Sequence, residues 1–186
     1  MVRQKNRTRK LVVLAMFLSC ALIVSLFERS LPLAVGVPGV KLGLGNIVVL
    51  VALYLFPLSE VLLLAVAKSL LANFFGGTAV SLLYSLCGTL LSTLLMKTTI
   101  RFFSEHFSPV GVSVIGGVGH NVGQLVAAAA VLQTRYVWAY LPVLLLAGVL
   151  AGVLTGALAA RVLPLVQRYV RSASSAGPGI ESRDEL

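Results

Sequence analysis

Long apolar runs broken by short polar segments govern this chain. Five basic residues, Arg3, Lys5, Arg7, Arg9 and Lys10, precede a run from Leu11 to Phe27. A stretch rich in Gly and Pro extends from Glu28 to about Gly43. Further apolar stretches follow at about Leu44 to Phe56, Ser59 to Phe75, Ala79 to Met96, Val110 to Leu132 and Trp138 to Leu163. Most approach the roughly 20 residues that carry a helix across a hydrocarbon core. The second and third are short for full spans. Pro57-Leu58-Ser59-Glu60 between them reads as a helix stop followed by a Ser cap, which separates two helices. The first run is too long for a signal-peptide core, and Glu28-Arg29-Ser30 offers no small-x-small cleavage site, so it is expected to stay as a helix. The pattern predicts an all-α, polytopic membrane protein. It comprises a basic N-terminus over 1–10, a domain of six transmembrane helices over 11–163, and an interfacial segment with a disordered tail over 164–186.

Composition agrees. Of 186 residues, 58% are hydrophobic and 11% charged, and the mean hydropathy is +0.98. A soluble domain needs about a quarter of its residues charged. Little chain remains for a soluble catalytic domain. Net charge is +9, from 15 Lys and Arg against 6 Asp and Glu. In a membrane protein this reads as sidedness rather than nucleic-acid binding. With six helices and a cytoplasmic N-terminus, the inner segments hold the N-terminal basics, Lys97, Arg101, Arg161, Arg168, Arg171 and Arg183, while the outer loops hold Arg29, Lys41 and Arg135. Both termini are therefore expected to be cytoplasmic, with Tyr136, Trp138 and Tyr140 as an outer aromatic belt. Cys20 and Cys87 sit in apolar runs, where burial as small hydrophobes is the expectation. The only aspartate is Asp184. No Gly-x-x-x-x-Gly-Lys-Ser/Thr loop occurs, so ATP-driven work needs a partner. Neither metal nor cofactor is expected.

A few polar residues interrupt the apolar stretches. The loop Val37-Pro38-Gly39-Val40-Lys41-Leu42-Gly43-Leu44-Gly45-Asn46 is too apolar to lie in water and is expected to fold onto the bundle as a lid, with Lys41 and Asn46 facing what it covers. In the fifth helix, His120 and Gln124 share one face with Asn121 beside them. Polar groups at mid-membrane depth face a bundle interior or a cavity, and interhelical hydrogen bonding stands here as the alternative to ligand binding. Lys68 lies midway along the third helix, with Glu28 and Glu60 as candidate partners or an anionic substrate in their place. Gly148, Gly152, Gly156 and Ala160 form a packing ridge. Ala15 and Ser19 offer a similar strip on the first helix, suited to a partner protein.

Glu28, the Pro38-Gly39-Val40-Lys41-Leu42-Gly43-Leu44 string, Leu83-Tyr84-Ser85, Gly111-Val112-Ser113, His120-Asn121-Val122-Gly123-Gln124 and Leu141-Pro142 together resemble the bacterial family called heptaprenyl diphosphate synthase component I, also the Gx transporter family. The resemblance runs from about Val12 to Ala160. The family usually has Ala where this chain has Gly45, and often Arg in place of Lys68. It is in turn similar to the S components of energy-coupling-factor transporters. That resemblance implies a multi-pass protein of the bacterial cell membrane whose pocket takes a small organic molecule. Gly39, Lys41, Asn46, Lys68, His120, Asn121 and Gln124 would bind the substrate. The first helix, through Ala15-x-x-x-Ser19, would dock on a transmembrane coupling protein that carries two ATPases. The synthase label implies instead a membrane accessory of isoprenoid or quinone synthesis. Prenyl diphosphate synthases hold magnesium through aspartate-rich motifs, and with one aspartate, in the tail, this chain is not expected to be an enzyme.

Overall fold

Helix boundaries follow local chemistry. The computed structural model describes residues 2–30 and 43–175, and no strand occurs among them. The helices are α1 (Val2–Ser30), α2 (Asn46–Leu55), α3 (Leu58–Phe74), α4 (Ala79–Phe102), α5 (Pro109–Leu132) and α6 (Leu141–Ser175), with a 3-10 turn over Arg135–Tyr140 before α6. Pro57, fixed near extended backbone, ends α2 and starts α3, so Ser59, expected as the cap, lies instead inside the first turn of α3, which has no side-chain cap. Thr78 caps α4 in a reciprocal box with Ser81, and Ser108 caps α5 ahead of Pro109. The predicted element order holds.

Two boundaries differ from the sequence reading. α6 does not stop at Pro164 but continues to Ser175. A helical proline removes one backbone donor and bends the axis, and here the flanking residues keep the helix continuous. The expected interfacial break after Pro164 is therefore absent, and the helix covers part of the expected disordered tail. α2 is the second difference, at 10 residues, or about 15 Å by the helical rise. That is half the roughly 30 Å of a hydrocarbon core.

Four stretches are long and apolar enough to cross a membrane: Thr8–Glu28, Ala79–Phe102, Pro109–Leu132 and Arg135–Tyr169. The protein is thus an all-helical membrane protein by length and composition. Its centre is the α4–α5–α6 sheet of helices. Built Cβ atoms show why glycine is needed along the seams. At Gly152 a Cβ would fall 2.5 Å from the Val114 Cα, and at Gly117 2.4 Å from the Gly148 carbonyl oxygen. Gly156 likewise meets Val110. The predicted Gly148, Gly152 and Gly156 ridge is therefore a backbone-to-backbone seam with α5. Ser113 and Thr155 hydrogen-bond across it at 2.8 Å.

α2 plugs one side of this unit. Leu50, Leu53, Val61, Met96, Val112, Ala159 and Leu163 form a core cluster that joins α2 to α3, α4, α5 and α6. α1 is peripheral: 11% of its span is buried, against 50% for α5. It is pinned at its N-terminal end by an ion pair, Lys10 to Glu60 at 2.5 Å. Tyr136, Trp138 and Tyr140 are exposed on the 3-10 turn at the other end of the bundle. Their placement matches an interfacial belt. Cys20 is exposed rather than buried as expected, because it faces an open groove beside α1.

Replacing Gly152 with Leu drives side-chain atoms into the Val114 backbone. We expect a loss of at least about 2 kcal/mol, read as a lowered thermal midpoint in detergent, while Leu154→Ala on the exposed side of α6 leaves the midpoint nearly unchanged.

Candidate functional site: a buried polar cluster at the start of helix α2

The start of α2 lies inside the bundle. Gly43 adopts a φ of +82°, which an L side chain rarely takes, and a Cβ there would sit 2.8 Å from His120 Cδ2 and 3.0 Å from Asn46 Nδ2. The chain can therefore lie against the His120 ring only as glycine. Gly45 packs as closely on Ser25 of α1. His120 is about 16 Å along α5 by the helical rise, so this contact is near mid-helix.

Three pairs of polar groups meet here. The Lys68 ammonium donates to Asn46 Oδ1 at 2.9 Å, and both residues are buried. Glu28, at the end of α1 and only 7% exposed, accepts the Gly43 N–H at 2.6 Å. Gln124 Nε2 lies 2.5 Å from His120 Nε2. The two side chains are thus within hydrogen-bond distance, with the direction set by the imidazole tautomer. Gly88 on α4 makes the His120 position possible, since a Cβ there would be 2.7 Å from the His120 carbonyl oxygen and 2.8 Å from Gln124 Cγ.

Ser25, Glu28, Gly43, Gly45, Lys68, Ser69, Ala72, Ser85 and His120 enclose a cavity of about 20 Å³. That is space for roughly one water molecule. Ser85 Oγ and Ser69 Oγ, at 3.5 Å, extend the polar wall toward Thr89, 3.4 Å from Ser69. A second cavity of about 10 Å³ lies on the other side of Gly43, bounded by Asn46, Ser113, Gly117, Gly152 and Thr155 among others. Gly43 is the partition between the two. The buried Asn46 Nδ2 has no hydrogen-bond partner among the described residues. A spare donor beside a cavity is a position for an acceptor atom of a ligand or a water.

The expected site residues separate into groups. Lys68 and His120 line the first cavity, Asn46 lines the second and accepts from Lys68, and Gln124 stands behind His120 as a hydrogen-bond partner. Asn121 turns away and donates to the Leu144 carbonyl of α6 at 2.7 Å, so it joins helices. Gly39 and Lys41, with the lid proposed for their loop, lie outside the described residues. The expected acidic partners of Lys68 are corrected in one respect: Glu60 pairs with Lys10, and the amide oxygen of Asn46 faces Lys68. Glu28 lines the same cavity as Lys68. Ala15 and Ser19 are exposed, and the Ser19 hydroxyl donates back to the Ala15 carbonyl at 3.0 Å, which leaves a smooth strip. Ser25, Ser69 and Ser85 were not singled out as site residues from the sequence. Serines in apolar helices are too common to stand out, although Ser85 belongs to a string noted for another reason.

A family model for heptaprenyl diphosphate synthase component I matches residues 17–162. No curated protein and no solved structure matches the chain.

The Lys68–Asn46 contact is testable as a pair. Asn46→Leu removes one acceptor of a buried ammonium and should cost about 1–3 kcal/mol. Lys68→Met combined with Asn46→Leu should recover part of that loss, as a coupling of about 0.5–3 kcal/mol, measured by denaturant unfolding of all four proteins.

Proposed function

The chain belongs to the heptaprenyl diphosphate synthase component I family, and we propose that it is a substrate-binding membrane subunit for uptake of a small organic molecule. The observation that supports this most is the polar cluster inside the bundle. Glu28, Lys68 and His120 come from three helices and line one cavity, and Asn46, from a fourth, accepts from Lys68 while lining the adjoining one. Polar side chains at membrane depth are costly and mark substrate paths more often than they serve packing. A cation, a carboxylate and several hydroxyls in one place suit a compact polar or zwitterionic molecule. Long apolar chains fit it poorly.

In this reading the protein has six spans with both termini in the cytoplasm of a bacterium, α2 and α3 forming the shorter pair. It performs no bond-making step of its own. Its residues bind and orient the substrate: Lys68 and the Asn46 amide meet acceptor groups, Glu28 meets a donor, and His120, held by Gln124, supplies an imidazole. Energy comes from outside the chain, through a transmembrane coupling protein with two ATPases, as in the S components it resembles. The exposed Ala15–Ser19 strip on the loosely buried α1 supports docking there.

A second reading, a membrane accessory of isoprenoid synthesis without its own catalytic site, takes its support from the family's description and from the apolar groove beside α1 described below. The two differ in what the protein carries. Substrate capture predicts a compact metabolite in protein purified from native membranes, together with ATPases of the transporter type. It also predicts that Lys68→Met lowers the metabolite retained per folded protein about tenfold, equivalent to about 1.4 kcal/mol. Mass spectrometry that finds a polyprenyl chain instead, with no ATPase in the preparation, sinks the transport reading.

A further inference from the structure

Among the described residues the backbones of α1 and α6 stay apart, with no Cα pair within 8 Å. Between them, with α2 as floor, lies a groove of about 540 Å³. Its lining is aliphatic and aromatic, including Val13, Phe17 and Cys20 on α1, Val48 on α2, and Val166 and Tyr169 on α6. The groove is separate from the polar cavity, with which it shares no lining residue. We propose that it binds one hydrocarbon chain of an anionic phospholipid, drawn from the leaflet on the N-terminal side, with the phosphate held between Arg9 and Arg168.

Shape chooses the tail. The α1 wall from Val13 to Val24 is about 16 Å long by the helical rise, close to the depth of one leaflet, half of a roughly 30 Å hydrocarbon core. The groove is open along its side, and its apolar lining suits a hydrocarbon chain that enters from the surrounding bilayer. Charge chooses the headgroup. Arg9 lies one turn before Val13 on the same face of α1, and Arg168 lies three residues beyond Leu165 on the groove face of α6. Both arginines are exposed, at the same end of the groove. Lys10 is already engaged by Glu60. Two arginines at the membrane surface attract an anionic headgroup. The lipid would fill the wedge between α1 and α6 and so steady the helix that carries Glu28 to the polar cavity.

The test uses the full chain reconstituted in vesicles of mixed phosphatidylglycerol and phosphatidylethanolamine, then extracted and weighed by native mass spectrometry. One phosphatidylglycerol retained per chain is expected. Cys20→Trp on the exposed wall and Val48→Trp on the half-buried floor should each abolish retention. Arg9→Gln with Arg168→Gln should lower the preference for phosphatidylglycerol over phosphatidylethanolamine about tenfold. Alkylation of Cys20 by a maleimide, in a Cys87→Ala background, needs no groove variant: added phosphatidylglycerol should slow it several-fold. Tryptophan variants that retain the same lipid, an arginine pair without effect on the preference, an unchanged alkylation rate, or a polyprenyl diphosphate as the retained molecule would each overturn the proposal.

Discussion

An ammonium group inside a membrane bundle must be met by acceptors, and in this protein the surroundings of Lys68 organise half the fold. Water and low-dielectric protein differ so much in their treatment of charge that a buried cation without a partner costs several kcal/mol. The partner here is the amide oxygen of Asn46, the first residue of α2. For Asn46 to reach Lys68, α2 must begin inside the bundle, and its length of 10 residues follows from that starting point. The chain leading into it must then bring backbone amides into an apolar interior, where each needs an acceptor. Glu28 satisfies the first of them, at Gly43. One buried charge thus dictates where a helix starts, why glycine stands at position 43 and why a carboxylate ends α1.

The other half of the bundle is held by a different force. α4, α5 and α6 meet through Gly88, Gly117, Gly123, Gly148, Gly152 and Gly156, where a Cβ would strike the backbone or a side chain of the neighbouring helix. With no hydrophobic driving force between helices in lipid, such close approach gains dispersion contacts that larger residues would forfeit. The seam is continuous and permits little rearrangement. α1, by contrast, rests on a few polar contacts, with 11% of its span buried. Low local packing is where conformational change costs least. The molecule therefore combines a rigid three-helix wall with a loosely attached side, and the polar cavity lies on the boundary between them.

Much of this was legible in the sequence, and what was not has identifiable causes. Apolar run lengths and the stop at Pro57 are local signals, so the helix order could be read from them. The Gly148–Gly152–Gly156 ridge could be read too, because its spacing is a property of one helix. Partner choice is not local. The mid-membrane depth of Lys68 was evident, but its contact with Asn46 spans 22 positions in the chain, and Glu60 was drawn away by Lys10, which helical spacing within α3 gives no means of foreseeing. His120, Asn121 and Gln124 were found as a group, yet a side chain adjacent in sequence points about 100° away on a helix, so Asn121 meets Leu144 while its neighbour meets the cavity. Pro164 misled for the opposite reason: its local signal for a break is strong, and the continuous helix around it overrides that signal.

The small size of the cavity bears directly on how a ligand could enter. Pockets for organic molecules measure about 300–1,000 Å³, whereas the space beside Lys68 is about 20 Å³ and that beyond Gly43 about 10 Å³. The two voids are divided by the backbone at Gly43, so displacing that segment merges them and exposes Asn46, Lys68 and His120 to the same space. The displacement breaks the Gly43–Glu28 hydrogen bond, and a bond to a charged group is worth about 1.5–3 kcal/mol net. A ligand offsets that cost only if it binds the open form correspondingly more tightly, because equal affinity for both forms shifts nothing. A molecule carrying a donor for Glu28 and an acceptor for the spare Asn46 amide meets this requirement through the groups that opening releases. On this account selectivity comes from replacing the protein's own internal hydrogen bonds one for one, and the glycine that permits the closed packing is also what makes its release inexpensive.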